Sequence, residues 1–338
     1  MLSTDLKVYK AKANGRMDGA SPVTSGALQN VFPHVTSAQR TAGHFDYKKT
    51  FWKVADDADG AALDPEIYQD APTLSATDYI VMFLMGQRDR VEDLTGYATG
   101  TDTQTKYGSA VLKNNITAGA TALTVTVRNA ALASGSDAIF RSGGKIKLTD
   151  KATADALTGN EEVLTISGDP VVAGLDITIT VAETIANDYT ASGTARVSSL
   201  IKPGDIETSV TAAVVTSTAG TFDDTTYPIL LDNIGTVDED WTLTRAAGAW
   251  TLSGDSLGVI ATGITLTSAN YAPSNPDFTK PYMTIDYRAL GGTWVDGDTI
   301  TFTTHPAAVG VGQKRVVPAG TASLANNRST QVLGCEAV

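Results

Sequence analysis

The residues that come nearest to a catalytic pattern are Gly254-Asp-Ser-Leu-Gly258, a Gly-x-Ser-x-Gly string of the kind that forms a nucleophile elbow. An elbow needs a strand, a sharp turn and then a helix, whose N-terminus helps to build the oxyanion hole. Here the chain continues as Val259-Ile-Ala-Thr-Gly-Ile-Thr-Leu-Thr267, which is β-branched and interrupted by glycine. His305 is the only histidine downstream, and no aspartate stands three residues before it. Ser256 therefore has neither the helix nor the base that would activate it, and the string is expected to be a hairpin turn.

A second candidate is Ala55-Asp-Asp-Ala-Asp-Gly60 with Glu66. Placing Gly60 at position six of a calcium loop puts Asp57, Asp59 and Glu66 at positions three, five and twelve. Position one is then Ala55, Pro65 adjoins the last ligand, and no helices flank the loop, so a solvated acidic turn is expected. His34 and His44-Phe-Asp46 have no nucleophile beside them, and a Gly-x-x-x-x-Gly-Lys phosphate loop does not occur. Trp52, Trp241, Trp250 and Trp294 lie in strand-like or turn contexts, where large aromatics fill cores. No catalytic, metal-binding or cofactor-binding residue is assigned, and the chain is expected not to be an enzyme.

The elements around these residues are strands. Lys49–Val54 is aromatic and β-branched, and Tyr79–Met85 is read as a buried strand in preference to a short helix. From about Asn115, Leu, Val and Ile alternate with Thr or Lys in Ala122–Val127, Lys145–Leu148, Glu162–Ile166, Leu175–Val181 and Thr194–Val197. Such alternation means one buried and one wet face, as in an antiparallel sheet. Lys151–Leu157 alone reads as a helical turn, so no βαβ unit and no dinucleotide fold is supported. The same style returns in Ser209–Val215, Tyr227–Leu231, Asp240–Thr244, Ala249–Leu252, Ile264–Thr267, Tyr282–Tyr287, Thr299–Thr303 and Arg315–Val317. The expected fold is all-β: two or three antiparallel β-sandwich or barrel domains with an extended N-terminal arm. Residues 1–114 form the arm and first β region, 115–199 a small sandwich or barrel, and 200–338 a C-terminal sandwich. Helix should account for less than about a fifth of the chain.

The 338 residues carry a formal charge of −12, which opposes sequence-specific binding to nucleic acid, because that affinity rests on Lys and Arg displacing counterions. The charge is uneven. Residues 1–54 hold eight basic groups against Asp5, Asp18 and Asp46, a net of +5, so the remainder carries −17. A basic end can attract the acidic surface of a second copy, and Arg40, Lys48, Lys49 and Lys53 are the expected subunit-interface residues. The longest apolar run, Tyr79–Met85, is too short to cross a bilayer, no membrane insertion is expected, and Met1–Lys7 has no secretory pattern. The single cysteine, Cys335, excludes an internal disulfide.

Ala118–Val125, Gly143–Leu148, Glu161–Ile166 and Leu175–Ile179 resemble a small β module that recurs in tailed-phage structural proteins. Asn30-Val-Phe-Pro-His-Val35 with Tyr47-Lys-Lys-Thr-Phe51, and Gly291-Gly-Thr-Trp294 with Thr299–Thr304 and Lys314–Gly320, resemble virion proteins of Mu-like transposable tailed bacteriophages. The resemblance brings no catalytic residues. It implies a virion protein assembled in the host bacterial cytoplasm, with the major tail tube subunit first, a baseplate component second and a head decoration third. Tube subunits form stacked hexameric rings from β-sandwiches with long arms, and acidic walls would keep passing DNA from sticking. The partners implied are copies of the chain in a ring or tube and other phage tail or head proteins. A glycan-binding or depolymerising tail protein remains an alternative, as does a cell-surface adhesion protein, which should carry an export signal.

Overall fold

The computed structural model describes residues 3–27, 29–325 and 327–337. Strand makes up 43% of it and helix 6%, so the all-β expectation holds with helix well below a fifth. Leu6–Ala11 (β1) and Met17–Pro22 (β2) form a hairpin, Ser37–Ala42 (α1) follows, and His44–Val54 (β3), Ala62–Ala71 (β4) and Tyr79–Met85 (β5) complete the N-terminal part. A first insert holds Ser109–Leu112 (β6), Ala122–Thr126 (β7), Lys145–Thr149 (β8), Glu161–Thr165 (β9), Val171–Ala173 (β10), Asp176–Thr180 (β11) and Arg196–Ser199 (β12). A second insert runs through Ser209–Val210 (β13), Val214–Thr216 (β14), Gly220–Phe222 (β15), Glu239–Ala246 (β16), Ala249–Gly254 (β17) and Gly258–Ile264 (β18). It continues with Ser274–Asn275 (β19), Lys280–Pro281 (β20), Leu290–Gly292 (β21) and Thr299–His305 (β22). The chain then returns as Ala308–Val317 (β23) and Thr330–Ala337 (β24).

The platform is a five-stranded antiparallel sheet in the order β2-β1-β3-β23-β5. Alternation along β3 sends Trp52 to one face and Phe51 to the other. Trp52, Met82 and Val311 pack on Ile67 of β4 and Leu333 of β24, which pair with each other as a second layer. On the opposite face Tyr47, Phe83 and Met85 form another cluster. Gly312 is required there: a Cβ at this position would lie 2.1 Å from the Phe83 ring. The C-terminal residues are thus part of the first β region, which corrects the expected 200–338 domain. The 1–114 region, up to β5, is one half of a split platform into which two β modules are inserted, and β6 already belongs to the first of them. The N-terminal segment is likewise no free arm, because β1 pairs with β3 from Leu6↔Val54 to Lys10↔Thr50.

The first insert is a closed barrel. Its sheet runs β10-β11-β7-β6-β12-β8-β9, and an antiparallel bridge between Ile166 and Val181 joins the ends of β9 and β11. Ser167 N donates to Thr180 O at 2.8 Å and Ala182 N to Thr165 O at 2.9 Å. Closure satisfies the edge hydrogen bonds that an open sheet would expose. Leu123, Val125, Ile146, Leu148, Ile177, Ile179 and Val197 point inward and are buried, while the alternate threonines and lysines face out. Tyr79 and Val81 of β5 join this cluster and seat the barrel on the platform. Lys151–Leu157 forms bends and a turn, not a helix.

The second insert is built on the sheet β13-β22-β16-β17-β18, with β14 also on β22. Trp241, Leu243, Trp250, Leu252, Ile300 and Phe302 pack against Ile229, Tyr282, Met283 and Ile285. Trp241 donates its indole N–H to Thr304 Oγ1 at 2.8 Å, and Trp250 meets Trp294 edge-on at 4.9 Å. Tyr227–Leu231 and Tyr282–Tyr287, expected as strands, contribute only isolated bridges at Leu230, Thr284 and Ile285. Among the described residues no helix is long and apolar enough to cross a membrane.

Candidate functional site

Residues 255–257 form the three-residue turn between β17 and β18, with Gly258 in the left-handed region at φ 71°. A three-residue hairpin loop closes with such a residue, so Gly258 serves turn geometry. Gly254 serves close approach: a Cβ there would lie 2.9 Å from the Glu239 side chain. Ser256 N donates to Glu239 Oε1 at 2.9 Å and its hydroxyl to Glu239 Oε2 at 2.7 Å. Glu239 is fully buried and is paired with Arg16 at 2.9 Å. His305 is engaged elsewhere, with its Nδ1 2.7 Å from Asp238. Strand, turn and strand surround the serine, and its neighbour is a carboxylate that is already ion-paired. Ser256→Ala should lower stability by about 1.5 kcal/mol, the low end for a hydrogen bond to a charged group, and change nothing else. Loss of an esterase activity in that variant would contradict this reading.

The acidic turn at 56–60 is similarly occupied. The Asp56 carboxylate accepts from Ala58 N and Gly60 N, both at 3.1 Å. Asp57 pairs with Lys280 at 2.9 Å, Asp59 accepts from Asn233 N at 2.7 Å, and Glu66 pairs with Lys147 and Lys202. The carboxylates diverge to separate partners, and three of them tie the platform to one insert or the other. Among the described residues no group of three or more His, Cys, Asp and Glu is gathered to hold a metal.

A cleft opens where the β1–β2 turn meets the second insert, lined among others by Lys12, Arg16, Gln87, Asp238, Asp277 and Tyr282. Its charges cancel in pairs. Lys12 meets Asp277 at 2.5 Å, and Arg88 holds Asp238 at 2.6 Å and Asp240 at 2.5 Å. Arg88, and then Thr303, keep the Asp240 carboxyl below the usual carboxylate range. Phe278 inserts against the platform, edge-on to Tyr9 at 5.6 Å, where Gly19 leaves room for its ring. The arrangement binds one module to another.

The four basic residues expected at a subunit interface are placed very differently. Lys48 is partly exposed and 3.5 Å from Asp46. Arg40, also partly exposed, donates to Val35 O at 2.8 Å. Lys49 is buried, and its ammonium donates to the carbonyls of Gly15, Gly86, Gln87 and Asp89 at 2.8–3.0 Å. Lys53 is 0% exposed, and its Nζ has no hydrogen-bond partner among the described residues. It lies 5.0 Å over the Phe278 ring. Lys49 and Lys53 are therefore interior groups of the monomer, which corrects their expected role as surface contacts. Reversing Lys49 would break its carbonyl cage, so such a variant reports folding and not assembly.

Sequence reasoning missed the buried ion pairs that join the modules. Lys314 on β23 donates to both oxygens of Asp137 in the barrel insert at 2.7 Å and to Gly100 O. Tyr79 also donates to Asp137 at 2.8 Å. Arg196 on β12 grips Asp70 on β4 at 2.6 Å and 2.9 Å. No local signal marks these pairs, since each joins segments over a hundred residues apart.

No protein-family model matches the chain, and no curated protein matches it. Among solved structures it is similar to a Phage phi92 endosialidase at 10% identity and a TM-score of 0.19, over 59% of this chain and 30% of that one. The chain thus spans less than a third of the length of that protein.

Proposed function

We propose that the chain is a non-enzymatic structural protein of a tailed-phage particle, a subunit of the tail tube, which works by binding copies of itself and neighbouring virion proteins. The phage reading is supported by the residues that resemble virion proteins of Mu-like phages. The assembly reading is carried by one observation: the barrel's β10–β11 hairpin turns apolar groups to solvent, with Val171 67%, Val172 41% and Leu175 44% exposed. Single exposed apolar residues are ordinary, but a projecting hairpin that carries three marks a contact surface. The net charge of −12 suits the wall of a conduit for DNA, which would repel the phosphate backbone. Since the basic N-terminal segment is folded into the platform, contacts between copies fall to the inserts. Virion location and assembly in the host cytoplasm belong to the same reading.

Val171→Asp with Val172→Asp tests it. Both positions are solvent-exposed, so the fold should survive, with stability changed by about 0.5 kcal/mol or less. In sedimentation velocity the wild type should gain mass with concentration and the double variant should gain far less. Equal behaviour of the two would remove the hairpin from the account.

A further inference from the structure

β18 is the outermost strand of the second insert's sheet and is hydrogen-bonded on one side only, to β17. Among the described residues, no hydrogen bond joins the backbone of residues 258–264 to any other segment. Val259 is 65% exposed, and Gly258, Thr262 and Gly263 are exposed too.

Edge strands in monomers are guarded by charge, proline, a covering segment or closure. Two of the other edges here show such devices. β2 contains Asp18 and Pro22, and β5 is bridged at Met82 by Tyr107. β18 reads Gly-Val-Ile-Ala-Thr-Gly-Ile, with neither charge nor proline. Its irregular pairing with β17 twists the strand but does not cover it. The whole stretch 256–276 lacks a charged side chain, in a protein of net charge −12.

We propose that the free edge of β18 is an assembly surface on which a strand of a second copy of this chain pairs. This rests on the self-assembly reading given above and names its surface. A row of unpaired N–H and C=O groups selects an extended backbone as its occupant. The charge distribution selects a second copy: two strongly acidic molecules repel over most of their surfaces and approach with least repulsion where charge is missing from both. Antiparallel pairing is moreover self-complementary, so one edge can serve both sides of a two-fold contact.

The test is Val259→Lys with Thr262→Lys, two exposed positions on the edge. The change moves the net charge from −12 to −10, which by itself weakens repulsion, so any loss of association is due to the blocked edge. Sedimentation velocity should show the wild type associating and the double variant remaining monomeric at the same concentrations, with unchanged far-ultraviolet dichroism. If the variant associates like the wild type, the edge is not the surface, although self-assembly stands. If the wild type stays monomeric throughout, both fail. Should the variant not fold, hydrogen exchange on the wild type decides: amides of residues 258–264 should exchange at least tenfold more slowly in the assembled than in the dilute protein, and equal exchange overturns the proposal.

Discussion

Asp137→Ala should cost about 3–5 kcal/mol of folding free energy, because it strands a buried ammonium. Asp137 and Lys314 are both nearly inaccessible to solvent, and Asp137 also accepts from Tyr79. The lost attraction is the smaller part of the effect. The larger part is that Lys314 keeps its desolvation penalty, with the Gly100 carbonyl as its one remaining hydrogen-bond acceptor among the described residues. The double variant Asp137→Ala with Lys314→Met should therefore recover most of the loss, since replacing a buried pair by apolar groups is close to neutral. Urea unfolding of the wild type, the single variant and the double variant checks this. A single-variant loss under about 1 kcal/mol, or no recovery in the double, would contradict the description of this pair as the bond between barrel and platform.

Lys53→Met should have the opposite sign. Burial pushes the Lys53 ammonium down to about 7, while the Asp232 charge pulls it up. Between about pH 7 and the ordinary lysine value of 10.5, the unfolded chain binds a proton that the folded chain lacks, so this group's contribution to stability improves as pH rises through that window. Below about pH 7 the folded protein carries a buried charge with no hydrogen-bond partner among the described residues, and the full penalty is felt. Methionine keeps the long stem that packs near Phe278 and removes the charge. The variant should be more stable than the wild type by on the order of 3 kcal/mol at pH 6, and the difference should shrink steadily toward pH 10. Denaturant midpoints at pH 6, 8 and 9.5 measure it. Taking the difference between variant and wild type cancels other groups that titrate there, such as Lys49, which burial lowers to about 8. A constant difference would show that Lys53 is not a desolvated charge.

These two lysines also show what the sequence could and could not reveal. Alternation located β7, β8, β11, β16 and β22, each with one buried face, whereas β-branched and aromatic content located β3 and an unbroken apolar run located β5. The same rule applied to Lys49-Thr-Phe-Trp-Lys53 places both lysines on the Phe51 face, but not what covers that face. The cover comes from residues 15 and 86–89 and from Phe278, all remote in sequence. The return of β23 to pair with β3 was equally hidden: partners such as Thr50 and Val311 lie 261 residues apart. Its glycines at 310 and 312, which make room for Met85 and Phe83, broke the apolar pattern that would have marked a strand. β4 was missed because it contains Pro65 and carries Glu66, Gln69 and Asp70 toward polar partners supplied by the barrel side of the molecule. α1 did leave a local trace. Thr36 and Gln39 form a capping box, a four-residue signal that precedes too short a helix for periodicity to register. At the candidate site, the reading of Gly254–Gly258 as a hairpin turn was legible from the β-branched residues that follow it. Glu239, the residue that holds Ser256, was not.

The function proposed for this chain is assembly with copies of itself. Negative-stain electron microscopy of the purified full chain, imaged over a range of concentrations at low and moderate salt, tests it most directly. Rings or tubes of uniform diameter, lost in the Val171→Asp, Val172→Asp variant, are the expected images. Dispersed particles of monomer size under every condition, with no ordered assembly, would contradict the account.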